Sequence, residues 1–317
     1  MCNGEVNIYH HKHHSPDEVL ADEQTQGPWI FLLKKYVGSL AGQSVLDVGC
    51  GFGGLMMACH RLGARAVGVE PSHIIQVTRE GITQTLGAPL PLVRADGRSL
   101  PFKTGSFDVV ASIGVLEHIT QADALVEEMA RVLKPKGTML LYFGPSRGWR
   151  YAQSPRHRKT VYTYWTTRYA EKKMRKQDLS GIKRVWTDVI DYRFRNDSFT
   201  NGSATLYGKL AGFLEKWSKK LPVRRTVVLT CKTLEKAAFP RNIGLVACRG
   251  SLPPGVSCPE IDYSDTHSFM DNLVCPLCKS ELKSGGVGDT IDGWLTCPNC
   301  RRDYPIVSGV PEFLKAE

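Results

Sequence analysis

The chain has 317 residues, a formal net charge of +10 and ten cysteines. That length accommodates one large core and a small second module. No run approaches the roughly 20 consecutive apolar residues of a membrane span, and the amino terminus lacks the charged-then-apolar pattern of a secretory leader. A cytoplasmic protein is expected, with thiols kept reduced, where Cys-x-x-Cys pairs favour metal over disulfide.

Residues 1–29 read as a flexible tail. Met1 to Gln26 is polar and aperiodic, and its His10, His11, His13 and His14 would bind metal only adventitiously. One large domain is expected over 30–250. Within it, Ser44 to Val48 is an apolar run ending in glycines, and Phe52 to Leu62 has helical spacing and stops at Gly63. Strand signals recur at Ala66 to Glu70, Leu90 to Ala95, Phe107 to Ser112 and Thr138 to Phe143. Helical patterns separate them at Ile74 to Leu86 and Ala122 to Leu133, the latter halted by Lys134-Pro135. Ile182 to Val189 and Ile243 to Ala247 are the best later strands. This alternation specifies an α/β fold, a doubly wound, mostly parallel, seven-stranded sheet of Rossmann-like type, because parallel strands need helical crossovers.

Charge is unevenly spread. Between Arg147 and Arg241 stand 23 Lys plus Arg against 7 Asp plus Glu, a net of +16, so the remainder nets −6. A basic insertion over about 147–241 is expected, then a Pro- and Gly-containing linker over 251–270 and a small second domain over 271–317.

The turn Gly49-Cys50-Gly51-Phe52-Gly53-Gly54 satisfies G-x-G-x-x-G, so a dinucleotide has to be weighed first. Asp47 at the strand end opposes it. A carboxylate there would repel a pyrophosphate but suits a ligand bearing ammonium and sulfonium charges, such as S-adenosylmethionine. The ligand's own carboxylate is expected on the amide donors of the loop and helix start, with Gly49 and Gly51 allowing close approach. Cys50 reads as a small packing residue inside that loop. Glu70 closes the second strand 21 residues after Gly49, placed to accept both ribose hydroxyls. Asp96, followed by Gly97, ends the third strand, placed to accept from an adenine amino group. Without a ligand, the same features are a Gly-rich turn, a solvated strand cap and a turn dipeptide.

These residues carry a family resemblance. Val45-Leu46-Asp47-Val48-Gly49-Cys50-Gly51, Val67-Gly68-Val69-Glu70-Pro71-Ser72, Ala95-Asp96-Gly97, Ser106-Phe107-Asp108-Val109-Val110, Val115-Leu116-Glu117-His118-Ile119 and Leu133-Lys134-Pro135-Lys136-Gly137 resemble a class I methyltransferase. The likeness is to the group that includes the ubiquinone and menaquinone biosynthesis enzymes, over roughly residues 40 to 145. It implies S-adenosylmethionine as cofactor, with Asp47, Gly49, Cys50, Gly51, Glu70, Pro71, Asp96, Gly97 and Ile113 lining its pocket. Glu117 and His118 fall near the expected methyl position, His118 either as a general base toward a hydroxyl or as a residue that orients the loop or caps a helix. Gly114 stands where some quinone O-methyltransferases carry a metal-binding glutamate, which argues against a metal there.

Cys275-Pro276-Leu277-Cys278, 18 further residues and Cys297-Pro298-Asn299-Cys300 form two knuckles with zinc spacing. Four thiolates leave no open position, so the Zn2+ is expected to be structural. Residues 271 to 314 resemble the small zinc-ribbon protein that activates several RNA and protein methyltransferases. Fused here, the ribbon is expected to pack in cis on the methyltransferase domain.

The insertion interleaves Trp149, Tyr151, Tyr162, Tyr164, Trp165 and Tyr169 with Arg156, Arg158, Lys159 and Arg168. These suit nucleic-acid bases and phosphates or the wall of a small-molecule pocket. Leu206, Leu210, Phe213, Leu214, Trp217 and Leu221 have helical spacing with lysines beside them, as in a lid helix or one lying on anionic lipid. A small-molecule, lipid-like or glycan acceptor is the favoured expectation, with RNA second and a non-catalytic, cofactor-binding platform third.

Overall fold

The computed structural model describes residues 15, 17–144, 163, 165–195, 229, 243–251, 258, 269–270, 272–285 and 292–314. Seven strands form one sheet: β1 (Ser44–Val48), β2 (Arg65–Val69), β3 (Leu92–Val93), β4 (Phe107–Ile113), β5 (Leu133–Phe143), β6 (Leu179–Arg184) and β7 (Ile243–Arg249). Their order is β3-β2-β1-β4-β5-β7-β6, with β7 antiparallel to both neighbours and the other pairs parallel. Every residue of β1 is buried, as a central strand covered on both faces requires.

The covering helices are α1 (Asp17–Gln24), α2 (Gly27–Tyr36), α3 (Gly54–His60), α4 (Ile74–Leu86), α5 (Ala122–Val132), α6 (Thr167–Lys176) and α7 (Trp186–Arg195). Helix α5 buries Leu125, Val126, Met129 and Ala130 at the 3.6-residue period read from the sequence. Its end is closed from across the sheet: the Arg249 guanidinium donates to the carbonyls of Ala130, Arg131 and Leu133.

Three expectations change. The tail contains a helix, α1, packed on α3 and α4, and α2 follows, burying Trp29, Leu32 and Leu33. Helix α1 has no strong apolar stripe, and among its described side chains the anchors are polar, Asp22 on Gly54 and Glu23 on Arg61, which hydrophobic periodicity does not announce. The strand expected at 182–189 is divided, since β6 ends at Arg184 and Trp186 opens α7. The strand expected at 90–95 pairs with β2 only at Leu92 and Val93. Pro91 has no amide proton, and Arg94 turns its own backbone groups outward to the ribbon.

The ribbon is a second, four-stranded antiparallel sheet of β8 (Lys283–Gly285), β9 (Gly293–Cys297), β10 (Arg302–Val307) and β11 (Val310–Pro311), in the order β11-β10-β9-β8. It sits on the β3 edge in cis. Arg94 N–H donates to the Pro311 carbonyl at 2.9 Å and Phe313 N–H donates to the Arg94 carbonyl at 2.8 Å. Val274 N–H likewise bonds the Pro101 carbonyl at 3.0 Å. An edge that would otherwise invite pairing with another chain is thereby covered. Phe269, Leu273, Cys275, Tyr304 and Phe313 of the ribbon share one buried cluster with Leu100, Phe102 and Phe107 of the first domain. The core therefore begins before residue 271 and runs across the domain junction.

Candidate functional site

The Gly-rich loop leaves β1 at the point where the sheet order reverses between β1 and β4, the crevice at which ligands of doubly wound folds bind. Gly49 has φ +78°, and a Cβ there would lie 2.4 Å from Val115 Cγ2. Only glycine satisfies both demands, so the segment after β4 closes directly on the loop.

The loop's amides are largely committed within the protein. Gly49 and Cys50 donate to the Val69 carbonyl, Gly53 donates to Cys50, Gly51 donates to Glu70 Oε2 at 3.1 Å and Gly54 donates to Asp22 Oδ2 at 2.9 Å. The helix-start donor expected for a ligand carboxylate is thus occupied by Asp22. Five of the loop's amides, those of Gly49, Cys50, Gly51, Gly53 and Gly54, are thus already paired.

Carboxylates surround it instead. Asp47 is 5% exposed, and no hydrogen-bond donor among the described residues reaches its side chain. Burial, reinforced by the negative charges of Asp22 and Glu70, pushes its carboxyl up to about 8. Glu70 is equally buried, and burial raises its carboxyl too; it accepts from Gly51 N–H and, at 2.9 Å, from Ser72 N–H. Each of its oxygens keeps a second lone pair for a hydroxyl. Cys50 is buried, and burial together with Asp47, Glu70 and Asp22 raises its thiol well above the ordinary range, which suits a packing residue and not a nucleophile.

The other sequence candidates gather at the same edge with different company. Asp96 is clamped by the Arg98 side chain, which reaches both its oxygens, one at 2.5 Å. Gly97 lies against Val48 and Leu125. The Pro71 carbonyl accepts from Arg94 Nε at 3.2 Å, which links the end of β2 to the ribbon. Ile113 ends β4, half-buried. His118 closes a short 3-10 turn, Leu116–His118, and is 9% exposed.

Two further acids stand near these residues, Asp22, which the sequence did not single out, and Glu117, which it placed with His118 near the methyl position. Asp22 lies 25 residues before Asp47, in a segment without periodicity. Glu117 is 6% exposed; its Oε1 accepts from Gly144 N–H at 3.1 Å, while Oε2 has no partner among the described residues. Burial pushes its carboxyl up to about 7. The Glu117 carbonyl accepts from Thr163 N–H, so this residue joins both ends of the segment between Gly144 and Thr163.

Of the basic insertion's aromatic set, Trp165 is buried, edge-on to Phe143 at 6.1 Å, so it is a core residue and no platform for bases. Tyr169 beside it is exposed. Trp149, Tyr151, Tyr162, Tyr164, Arg156, Arg158, Lys159 and the amphipathic series over 206–221 lie outside the described residues.

At the ribbon, the sulfurs of Cys275, Cys278, Cys297 and Cys300 all lie within 4.8 Å of one another, with Cys278 and Cys297 3.6 Å apart. Tetrahedral thiolates at a zinc bond length stand about 3.8 Å apart, so the donor set fits Zn2+. Tyr304 Oη lies 3.2 Å from Cys275 Sγ, and Cys300 N–H donates to Cys297 Sγ, the outer bonds that orient such ligands.

Residues 46–141 match the family described as methyltransferase domain, and residues 266–309 match the family described as Trm112p-like protein. The chain is 33% identical over 99 residues to a sterol 4-C-methyltransferase of Caenorhabditis elegans, covering 31% of this chain and 30% of that protein. It is 35% identical over 104 residues to a ubiquinone biosynthesis O-methyltransferase of Xanthomonas oryzae, covering 32% and 43%. It thus spans less than half the length of these curated relatives. A Haemonchus contortus phosphoethanolamine N-methyltransferase, solved with S-adenosyl-L-methionine, is 20% identical with a TM-score of 0.49, over 75% of this chain and 58% of that one. The chain therefore joins a methyltransferase domain, over residues 46–141, to a Trm112p-like domain, over residues 266–309.

Proposed function

We propose that the chain is an S-adenosylmethionine-dependent methyltransferase acting on a small-molecule, lipid-like or glycan acceptor, with a zinc ribbon that supports the enzyme domain in cis. The observation that carries the cofactor is electrostatic. The amides of Gly49, Cys50, Gly51, Gly53 and Gly54 are bonded within the protein, and among the described residues no lysine or arginine pairs with the buried carboxylates beside them. Such a site repels phosphate and suits an ammonium and a sulfonium.

When bound, S-adenosylmethionine supplies a methyl group activated by positively charged sulfur. In this reading Asp47 holds the ligand's ammonium, Glu70 accepts the ribose hydroxyls through its remaining lone pairs, and Ile113 and Gly97 wall the nucleoside. Asp96 reaches an adenine amino group if Arg98 shares it. The turn bearing Glu117 and His118 lies beside the loop, where either side chain can take a proton from an acceptor while the pocket sets the line of attack. Zn2+ on the four cysteines closes the ribbon and leaves no coordination position for chemistry.

The names of the two curated relatives, which concern a sterol and ubiquinone, favour a small lipid-like acceptor. The Trm112p-like domain and the +16 segment favour RNA as the second reading. The test is methyl transfer from radiolabelled S-adenosylmethionine into a fractionated cell extract. Label in a low-molecular-weight or lipid fraction supports the proposal. Label at one defined RNA position replaces it with the second reading, and tight cofactor binding without transfer replaces both with a non-catalytic platform.

A further inference from the structure

We propose that Ser99 and Lys279 are positioning residues for the adenine end of the cofactor: through them the first cysteine knuckle of the ribbon fixes Asp96, and Asp96 so fixed selects a 6-amino over a 6-oxo purine. The inference rests on the cofactor reading given above and adds two residues and a discrimination to it.

The ribbon grips the chain on both sides of Asp96. Upstream, the Arg94 amide and carbonyl pair with Pro311 and Phe313. Downstream, Ser99 Oγ donates to the Pro276 carbonyl at 2.6 Å, and Lys279 Nζ donates to the Leu100 carbonyl at 3.2 Å. Val274 N–H then donates to the Pro101 carbonyl, and Phe102 pairs with Leu273 in an antiparallel bridge. Pro276 lies between Cys275 and Cys278, and Lys279 directly follows Cys278, so whatever fixes the knuckle fixes these groups. Lys279 also meets Glu128 of α5 at 2.9 Å, and the same Glu128 oxygen accepts from Leu100 N–H at 2.8 Å. Both backbone groups of Leu100 are thereby held.

Between Arg94 and Ser99 only the turn Ala95 to Arg98 remains. Ser99 N–H closes it on the Asp96 carbonyl at 2.9 Å, so Ser99 joins Asp96 on one side to the knuckle on the other. A Cβ at Gly97 would lie 2.9 Å from Val48 Cγ1, which packs the turn against the end of β1, beside Asp47. There the Asp96 side chain stays 30% exposed, within reach of a ligand. Three donors of Arg98, its amide, Nε and Nη2, reach a carboxylate that accepts about four hydrogen bonds. The remaining site suits an exocyclic amino group, whereas a 6-oxo purine presents a carbonyl oxygen that a carboxylate repels. The glycine loop is held by other elements, through Val69, Glu70, Asp22 and Val115. The ribbon therefore acts on the adenine end of the pocket.

Calorimetry on the full chain with its zinc, using S-adenosylhomocysteine and S-inosylhomocysteine, tests this, because the 6-oxo ligand lacks the amino group and is otherwise built alike. Wild type is expected to prefer the adenosyl ligand by about tenfold or more. Ser99→Ala removes the hydroxyl without touching the ribbon's own residues. Lys279→Met repeats the test from the ribbon side, with Glu128 still paired to Arg131. Each variant should cut the preference by about threefold or more, by weakening the adenosyl ligand and sparing the inosyl one, and Ser99→Thr should restore it. In an Asp96→Ala background, where the preference is already lost, Ser99→Ala should change it no further. Equal weakening of both ligands, an unchanged preference, or wild type that does not discriminate overturns the inference and leaves the cofactor reading standing. Wild type that binds neither ligand overturns both.

Discussion

Arg94 and Glu312 are joined by side chain and backbone at once. The guanidinium meets the carboxylate at 2.9 Å, and the Arg94 amide and carbonyl pair with Pro311 and Phe313 on either side of Glu312. A strand edge of the methyltransferase domain is therefore completed by the last strand of the ribbon. The ion pair is the lesser part, because partly exposed pairs contribute about 0–1 kcal/mol. Glu312→Ala should lower stability by about that amount. Phe313→Ala, which empties a buried site against Tyr304, should cost about 3 kcal/mol or more. Urea unfolding of the full chain measures both, and separate transitions for the two domains would refute the shared core.

Zinc removal should likewise reach beyond the ribbon. Cys275 and Cys297 are buried in the cluster that holds Phe102 and Leu273. That common core ties the ribbon's folding to that of the cofactor domain. One zinc per chain is expected by metal analysis. Cys278→Ser or a strong chelator should lower the melting temperature of the whole chain and weaken cofactor binding. Unchanged binding in metal-free protein would count against this coupling.

Asp47 opposes stability to binding. Burial, with Asp22 and Glu70, raises its folded pKa from 3.8 to about 8, so between those values the folded state holds a proton that the unfolded state has released. Stability from this group therefore falls as pH rises from about 4 to about 8. Asp47→Asn should raise the urea midpoint of cofactor-free protein at pH 8 and flatten its pH dependence. The same change should weaken S-adenosylmethionine by about 1.5–3 kcal/mol, since it removes the partner of an ammonium. A lower midpoint at pH 8 would contradict the assignment.

Glu117 obeys the same sign over a narrower window. Burial raises its carboxyl from 4.5 to about 7, so its contribution to stability declines as pH rises between those values. Glu117→Gln should remove that slope, and the folded protein should lose the carboxylic acid C=O absorption that titrates near pH 7 in infrared difference spectra. If transfer requires Glu117 as proton acceptor, the variant should lose about 100-fold or more in rate with cofactor affinity intact, whereas His118→Ala should then retain most activity. The opposite ranking would return the base to His118.

Much of the fold is local in origin and so is legible in the residues. The buried run of β1, the 3.6-residue stripe of α5, the glycine turn after Asp47 and the two cysteine knuckles each depend on neighbours within about a dozen positions. Their periods and spacings announce strand, helix, cofactor loop and metal site. Helix α1 had no such signal, because it is anchored by Asp22 and Glu23 reaching Gly54 and Arg61, more than 30 positions away. The role of the loop amides was equally beyond local reading, since their partners, Val69, Glu70 and Asp22, arrive from other elements. Trp165 resembled a stacking platform until Phe143 and the sheet covered it. The sequence by itself determined which chemistry the residues could perform, through the kinds of side chain and their short-range periods. Only the tertiary structure decided that Asp47 and Glu70 are buried beside the glycine loop and that ribbon and sheet share one core, because burial and long-range pairing are properties of the packed chain.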